Sequence, residues 1–457
     1  MKIVILGAGQ VGQTVAENLV SEANDITVVD TDAQRLRDLQ DRLDLRGVLG
    51  NAAHPSVLRN AGIEDADLLI AVTQSDEINM VACKIGAEMF NVPTRIARIR
   101  STEYLDNQSV LCDDYFAVNH TICPEQGLTE YIVKLVEFPE ALQVLEFAGG
   151  KVSLIAVRAF EGGPLVGHPI ADMRKHLPNL GARIAAIFRS DRPIMPEGDT
   201  VVEVGDEVFF LAASQNIRQV MRELRRMDKP VRRVMIAGGG NIGMRLAREL
   251  ERDYAVKIIE YDKRRCEVLS SQLGKTLVLQ GDVTDEELLE SENVEVMDLF
   301  ISVTNDDENN IMSALLAKRM GARRVVALIN RRAYVDLLQS GQIDIAIAPA
   351  QITIGSVLSH VRRGDVTKVH SLRRGAAEAI EAIVHGDKNS CRCVGRRLDE
   401  IEWPKGASVG AIVRGDQVLM GHHDTVIQSE DHLIVFMTNK KMMPQLEKLF
   451  QVGVGFF

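Results

Sequence analysis

The chain has 457 residues, 46% of them apolar and 26% charged, with a net charge of −11. This balance is ordinary for a soluble globular protein and speaks against a nucleic-acid binder, whose footprint is a basic patch. No apolar run approaches the roughly 18 residues that span a bilayer, and the six scattered cysteines suit a reducing cytosol.

From the start, Lys2–Leu6 is a short β-branched run and reads as a buried strand rather than as part of a signal peptide. It runs into a G-x-G-x-x-G formed by Gly7, Ala8, Gly9, Gln10, Val11 and Gly12. In such a turn Gly7 lets the chain leave the strand sharply, Gly9 lets a pyrophosphate approach the backbone, and Gly12 lets the next helix pack closely. The free N–H groups and positive dipole end of that helix would face the phosphates. A second strand, Ile26–Val29, ends in Asp30. A carboxylate there accepts hydrogen bonds from ribose hydroxyls and repels a 2′-phosphate, so NAD is expected over NADP.

Further strands are expected near 46–49, 68–72 and 95–99, with helical segments between them. Such β-α alternation implies a parallel, doubly wound sheet with right-handed crossovers. Asn51 follows the third strand and Thr73-Gln74 the fourth, at the carboxyl edge where ligands bind in such folds. Thr73 is there either as a helix cap alone or as a cap that also touches ligand. Arg98, in the fifth strand, either forks onto phosphate oxygens or pairs with a neighbouring acid.

A helical stretch begins at Pro124, with Ile132, Val133, Leu135 and Val136 as its apolar face. Then come alternating strand-and-turn segments at Gly181–Asp191, Asp199–Val201 and Gly205-Asp206, and a helical stretch at Asn216–Arg226. The polar segment Arg225–Arg233 is the natural joint.

After this joint the whole series repeats. RVMIAGGGNIGMRLAREL supplies a second loop of Gly238, Gly239, Gly240, Asn241, Ile242 and Gly243, and VKIIE ends in Glu260. A lone glycine motif is weak evidence; two in matching context are strong evidence. At one constant offset Gly281-Asp282 matches Gly50-Asn51, and Ser302–Asn310 matches Ala71–Asn79. Thr304-Asn305 therefore stands where Thr73-Gln74 does. After a one-residue gap Ala327–Asn330 matches Ala97–Arg100, which sets Leu328 opposite Arg98; a misplaced gap would bring Asn330 or Arg331 there instead. A second helical stretch begins at Pro349, with Ile352, Ile354, Val357, Leu358 and Val361 apolar. The two proline-led helices either lock neighbouring units together or close their own domain cores. Gly406–Asp416, Asp424–Val426, Glu430-Asp431 and Lys440–Phe450 repeat the small strand-and-turn unit. The expected fold class is α/β: two tandem Rossmann-type doubly wound parallel sheets, each followed by a small α+β domain. The expected boundaries are 1–123, 124–228, 232–348 and 349–453.

Candidate catalytic groups are few. Asp76-Glu77 and Asp307-Glu308 are carboxylate pairs, but they stand at helix starts, where acids favour the dipole. Cys391 and Cys393 lack a second Cys or His pair for zinc and read as two loop thiols; His422-His423 read as solvated loop histidines. No metal site and no catalytic site are expected, and a doubled cofactor site suits ligand sensing better than turnover. An NAD-dependent oxidoreductase using one half remains the alternative.

KIVILGAGQVGQTVAENL with NDITVVD, VTNDDENNIMSALLAKRMGA, RRAYVDL, SSQL and SLRRGAAEAIEA together make the chain resemble, over essentially its whole length, the TrkA family. These are the cytoplasmic nucleotide-binding subunits of bacterial Trk potassium-uptake systems, with two regulator-of-potassium-conductance (RCK) units in tandem. The resemblance implies a peripheral protein on the cytoplasmic face of the inner membrane, docked on a membrane-embedded potassium-conducting subunit. It implies a homotetramer in which four chains supply eight Rossmann units, and ligands NAD or NADH and, in relatives, ATP and ADP. It carries binding roles onto Gly7–Val11, Asp30, Thr73, Gln74 and Arg98, and onto Gly238–Ile242, Glu260, Asp282, Thr304 and Asn305. Leu328 in place of an arginine puts a phosphate contact from that strand of the second half in doubt. Regulation of a different potassium transporter, such as a glutathione-gated efflux system, is a further alternative.

Overall fold

The computed structural model describes the chain except residues 21–23, 179, 190–191, 195, 225–228, 332, 335–341, 363–364, 373–376, 439–441 and 452–457. It forms two compact units, Met1–Gly127 with Ala350–Arg362, and Leu128–Pro349 with Arg363–Phe457.

The first unit is built on β1 (Lys2–Leu6), β2 (Asp25–Asp30), β3 (Arg46–Leu49), β4 (Leu68–Ala71), β5 (Thr94–Arg98) and β6 (His120–Ile122). All pairings are parallel and the strand order is β3-β2-β1-β4-β5-β6. The order reverses beside β1, where an open α/β sheet forms its ligand crevice. β1 and β4 are apolar almost throughout because helices cover both faces of a parallel sheet. The sixth strand is not among the expected five; three residues carry no readable period.

The proline-led helix Pro349–Val361, from Ala350 onward and with Arg362 after it, belongs to this first unit, far along the chain from the sheet it accompanies. Ile354, Val357, Leu358 and Val361 are buried. Gly127 comes so near that a Cβ would stand 3.3 Å from Ile352. The helix thus serves the first half rather than closing its own domain. His360 at its end stacks on His120 of β6, with ring centroids 3.7 Å apart and planes 12° from parallel. Burial, and then the neighbouring His120, pushes the His360 ring down to about 4, and burial lowers His120 as well.

A histidine depressed in the fold is stabilising only while neutral. Its contribution is complete above the unfolded value near 6.5 and is lost as pH falls toward 4. After discount for partial exposure this is about 1–2 kcal/mol. His360→Phe keeps a ring on His120, and is expected to flatten the fall in stability between pH 7 and pH 5 in urea unfolding. An unchanged pH dependence would refute the assignment.

In the second unit the first small sheet holds β7 (Ala141–Phe147), β8 (Val152–Arg158), β9 (Ala182–Arg189), β10 (Arg192–Ile194) and β11 (Glu207–Ala213), in antiparallel order β10-β9-β11-β8-β7. The second parallel sheet holds β12 (Arg233–Ala237), β13 (Ala255–Glu260), β14 (Leu277–Gln280), β15 (Leu299–Ser302), β16 (Val325–Leu328) and β17 (Ile345–Ile347), in order β14-β13-β12-β15-β16-β17. The second small sheet, β18 (Asp365–Leu372), β19 (Ala377–Ile383), β20 (Ala407–Arg414), β21 (Gln417–Met420) and β22 (His432–Met437), is antiparallel in order β18-β19-β22-β20-β21.

The small sheets are not independent. Phe147, Leu154, Phe209 and Leu211 share one core with Ala379, Ala411, Ile434 and Phe436. Gly410 is needed there, because a Cβ would stand 2.7 Å from Leu211. Arg183 Nη1 donates to the carbonyls of Val409 and Gly421, and Lys151 Nζ to Gly415 and Asp416. Each sheet also carries one matching clamp. Arg189 grips Asp206, and Arg414 grips Asp431, each through two bonds of 2.8 Å to a buried carboxylate. The repeated aspartates mark these clamps as well as turns.

The first terminal helix, Ile217–Met221, is shorter than expected, and the second is described over Met443–Phe450. The expected end at Arg226, the boundary at 228, the start at Lys440, the end at 453, and parts of RRAYVDL and SLRRGAAEAIEA lie outside the described residues.

Candidate nucleotide-binding sites

Each parallel sheet presents the same crevice at its carboxyl edge. Gly7 leaves β1 with φ +106, and Gly238 leaves β12 with φ +107, a region that favours glycine. A Cβ on Gly7 would stand 3.0 Å from the Val72 carbonyl, and one on Gly12 would overlap the Gly7 carbonyl. Gly238 and Gly243 repeat this, against Thr304 and the Gly238 carbonyl. These four glycines are therefore required by packing. Gly9 and Gly240 differ, because a Cβ on either would meet nothing within 4 Å. That open space lies at the start of the helices Gln10–Val20 and Asn241–Leu250, whose first-turn N–H groups lack intrahelical acceptors.

The acids come to the loops directly. Asp30 Oδ2 accepts the Ala8 N–H at 2.5 Å and Oδ1 the Asp32 N–H at 2.8 Å. Glu260 accepts from Gly239 and Asp262, both at 2.8 Å. A carboxylate has about four lone-pair sites, so each acid keeps acceptor capacity for ribose hydroxyls. The Asp30 carbonyl also accepts the Gly50 N–H, and the Glu260 carbonyl the Gly281 N–H, which brings Asn51 and Asp282 to the same edge. Both side chains brace local turns. Asn51 accepts from Ala53, while Asp282 accepts the Thr284 N–H and hydroxyl, which hold its carboxyl below the usual range.

Thr73 and Thr304 are not helix caps. Ser75 caps the helix Asp76–Phe90 and Asp306 caps Asp307–Arg319, through side-chain acceptance of the Ile78 and Asn309 N–H groups. The threonine hydroxyls turn inward to Asn79 and Asn310, each at 2.7 Å. Those fully buried asparagines also donate to the carbonyls of Arg98 and Leu328, so they tie the ends of the fourth and fifth strands together. Asn79 and Asn310 went unassigned in the sequence, although a polar residue repeated on a buried helix face was the available signal. The same bonds make Arg98 and Leu328 equivalent, which agrees with the gap as drawn. Gln74 and Asn305 are exposed at the rim, as are Gln10 and Asn241, with Val11 and Ile242 half-buried beside them.

Arg98 pairs with Glu125 at 2.8 Å, while its Nε is buried without a hydrogen-bond partner. In the second crevice a cation arrives from elsewhere, since Arg265 Nε donates to the Gly239 carbonyl at 2.7 Å. Asp76 and Asp307 accept backbone N–H groups from Arg100 and Ser101 and from Asn330 and Arg331, which makes them loop anchors. Cys391 and Cys393 are thiols buried within their loop, with sulfurs 3.3 Å apart. The hydrogen bond from Cys393 is the main cause that brings the Cys391 thiol down to about 6.

Each crevice thus offers N–H donors for phosphate and a carboxylate acceptor for ribose. The TrkA-N domain family model matches residues 3–123 and 234–349, and the TrkA-C domain model residues 154–225 and 388–451. The Trk system potassium uptake protein TrkA of Halomonas elongata is 57% identical over 100% of both chains. That of Vibrio alginolyticus is 56% identical over 99% of each. Among solved structures, the GsuK RCK domain aligns with TM-score 0.62 at 17% identity, covering 98% of this chain and 94% of its own. The GsuK channel bound to NAD aligns with TM-score 0.62 at 18% identity, covering 98% and 78%. At such identities the likeness is one of fold.

Proposed function

Because the chain belongs to the TrkA family of Trk-system potassium-uptake proteins, we propose that it is the nucleotide-sensing regulatory subunit of such a system. The observation that carries this reading is the doubled crevice, with open space at Gly9 and Gly240 beside Asp30 and Glu260. NAD or NADH and the adenine nucleotides ATP and ADP are its ligands. Their phosphates lie on Gly7–Gly12 and Gly238–Gly243, and their ribose on Asp30 or Glu260. Asn51, Thr73, Gln74 and Arg98 border the first site; Asp282, Thr304 and Asn305 border the second. In sequence the four domains run 1–123, 124–228, 232–348 and 349–453, although the helix that opens the last one belongs to the compact unit of the first.

The protein is not an enzyme; it is a homotetrameric ring on the cytoplasmic side of the inner membrane. Nucleotide favours one ring state through unequal affinity for the two, and the ring gates a membrane-embedded potassium-conducting partner. No helix among the described residues is long and apolar enough to cross a membrane. The chain is expected to sediment with membranes only when the partner is present, and high salt is expected to release part of it.

The deciding experiment is potassium flux through the reconstituted partner, with and without the chain, across ATP, ADP, NAD and NADH. Flux that changes with both chain and nucleotide supports the proposal. Flux indifferent to all four, or steady consumption of NADH by the chain alone, overturns it.

A further inference from the structure

We propose that His422, His423 and Asp424 form a binding site for a divalent transition-metal cation of the zinc, nickel or copper(II) class. The three residues follow β21 in one turn, and their ligand atoms lie within 4.8 Å of one another. The His422 and His423 rings sit 4.1 Å apart, and Asp424 Oδ1 lies 2.7 Å from His422 Nδ1. Ligands held at about 2.0–2.2 Å around a tetrahedral cation stand about 3.4 Å from one another, so small side-chain rotations complete the set. Two imidazoles with one carboxylate and no sulfur select borderline divalent ions over calcium or magnesium, which prefer all-oxygen shells. Water fills the remaining position. Arg397 is engaged by Asp399 at 2.5 Å, so the close partner of the Asp424 carboxylate is His422, and a bound cation replaces the proton that those two share.

The turn is already braced. The Thr425 N–H donates to the His422 carbonyl, the Asp399 N–H to the His423 carbonyl, and the Leu398 N–H to the Thr425 carbonyl. Preformed backbone of this kind lowers the ordering cost of binding. The turn also adjoins the contact between the small sheets, because Arg183 donates to the Gly421 carbonyl just before it. A bound cation therefore stiffens the second small domain where it meets the first. In the first half the matching positions are Glu197, Gly198 and Asp199, which lack both imidazoles, so the stoichiometry is one ion per chain.

The test uses the untagged, chelator-stripped full chain without nucleotide, because phosphates bind metals themselves. Zinc is titrated against a chromophoric indicator, and amide hydrogen exchange is followed in parallel. One equivalent is expected to bind at micromolar concentration and to slow exchange at Leu398, Asp399 and Thr425. His422→Ala and His423→Ala are each expected to weaken binding about tenfold or more, and Asp424→Asn less. The side chains are exposed, so these variants are expected to fold; unchanged thermal unfolding without zinc checks this, and His422→Gln serves as a milder replacement. Wild-type affinity in the double His variant would place the zinc elsewhere and overturn the proposal. So would absence of binding at about 100 μM zinc, or binding without added protection in the turn.

Discussion

Asp30→Ala is expected to weaken nucleotide binding at the first site by about 1.5–3 kcal/mol, or roughly 10- to 150-fold, the usual size for a hydrogen bond to a charged group. The carboxylate stands at the end of β2 with one oxygen on the Ala8 N–H and the other on the Asp32 N–H. Truncation removes the ribose acceptor and also frees the loop N–H that the acid holds, so both contributions act in one direction. Glu260→Ala is expected to do the same at the second site, where Gly239 and Asp262 take the places of Ala8 and Asp32. Calorimetry on the two single variants is the measurement, with two sites per chain in the wild type and one weakened in each variant. Undiminished affinity at both sites in both variants would rule the acids out as ribose anchors.

Arg98→Ala is expected to abolish the preference of the first site for ATP over ADP, a change of about 1.5–3 kcal/mol in the difference between the two. Arg98 lies at the end of β5, where its backbone carbonyl accepts from Asn79, which in turn accepts from the Thr73 hydroxyl. Its present partner is Glu125, and its Nε is unpaired. A terminal phosphate that displaces Glu125 gains a bidentate charge-assisted contact, whereas a shorter ligand leaves the ion pair in place. Glu125→Gln removes the competing charge and is expected to strengthen ATP binding, which separates a phosphate role from a purely structural one. The second site has Leu328 at the matching position and is expected to treat the two nucleotides alike. An ATP preference that survives Arg98→Ala would overturn this division of labour.

The readable parts of the molecule are those whose cause is local. A β-branched run followed by G-x-G-x-x-G states a strand, a turn that favours positive φ and a helix start within a dozen residues, and the structure has these at Lys2–Leu6 and again at Arg233–Ala237. Asp30 and Glu260 were legible as acids at strand ends for the same reason. Their hydrogen bonds to Ala8 and Gly239 add only detail. Thr73 was legible as a position but not in its role. Its inward bond to Asn79 depends on how the helix Asp76–Phe90 sits on β4 and β5, and helix-start chemistry alone suggests a cap.

The doubling, the two parallel α/β units with their glycine loops and acids, and the strand-rich segment after each are legible from residue order, because periodicity and glycine placement act over a few residues. What those faces meet emerges from the packing of distant segments. Residues 350–362 join the unit of the first parallel sheet, and His360 finds His120 there. The two small sheets share one core around Phe147, Leu211, Ile434 and Phe436. Arg98 takes Glu125 as its counter-ion. An apolar period shows that a face is buried but carries no information about its partner. That choice is made by shape and charge complementarity between segments far apart in the chain, as in the bond from Gln143 to Ser371.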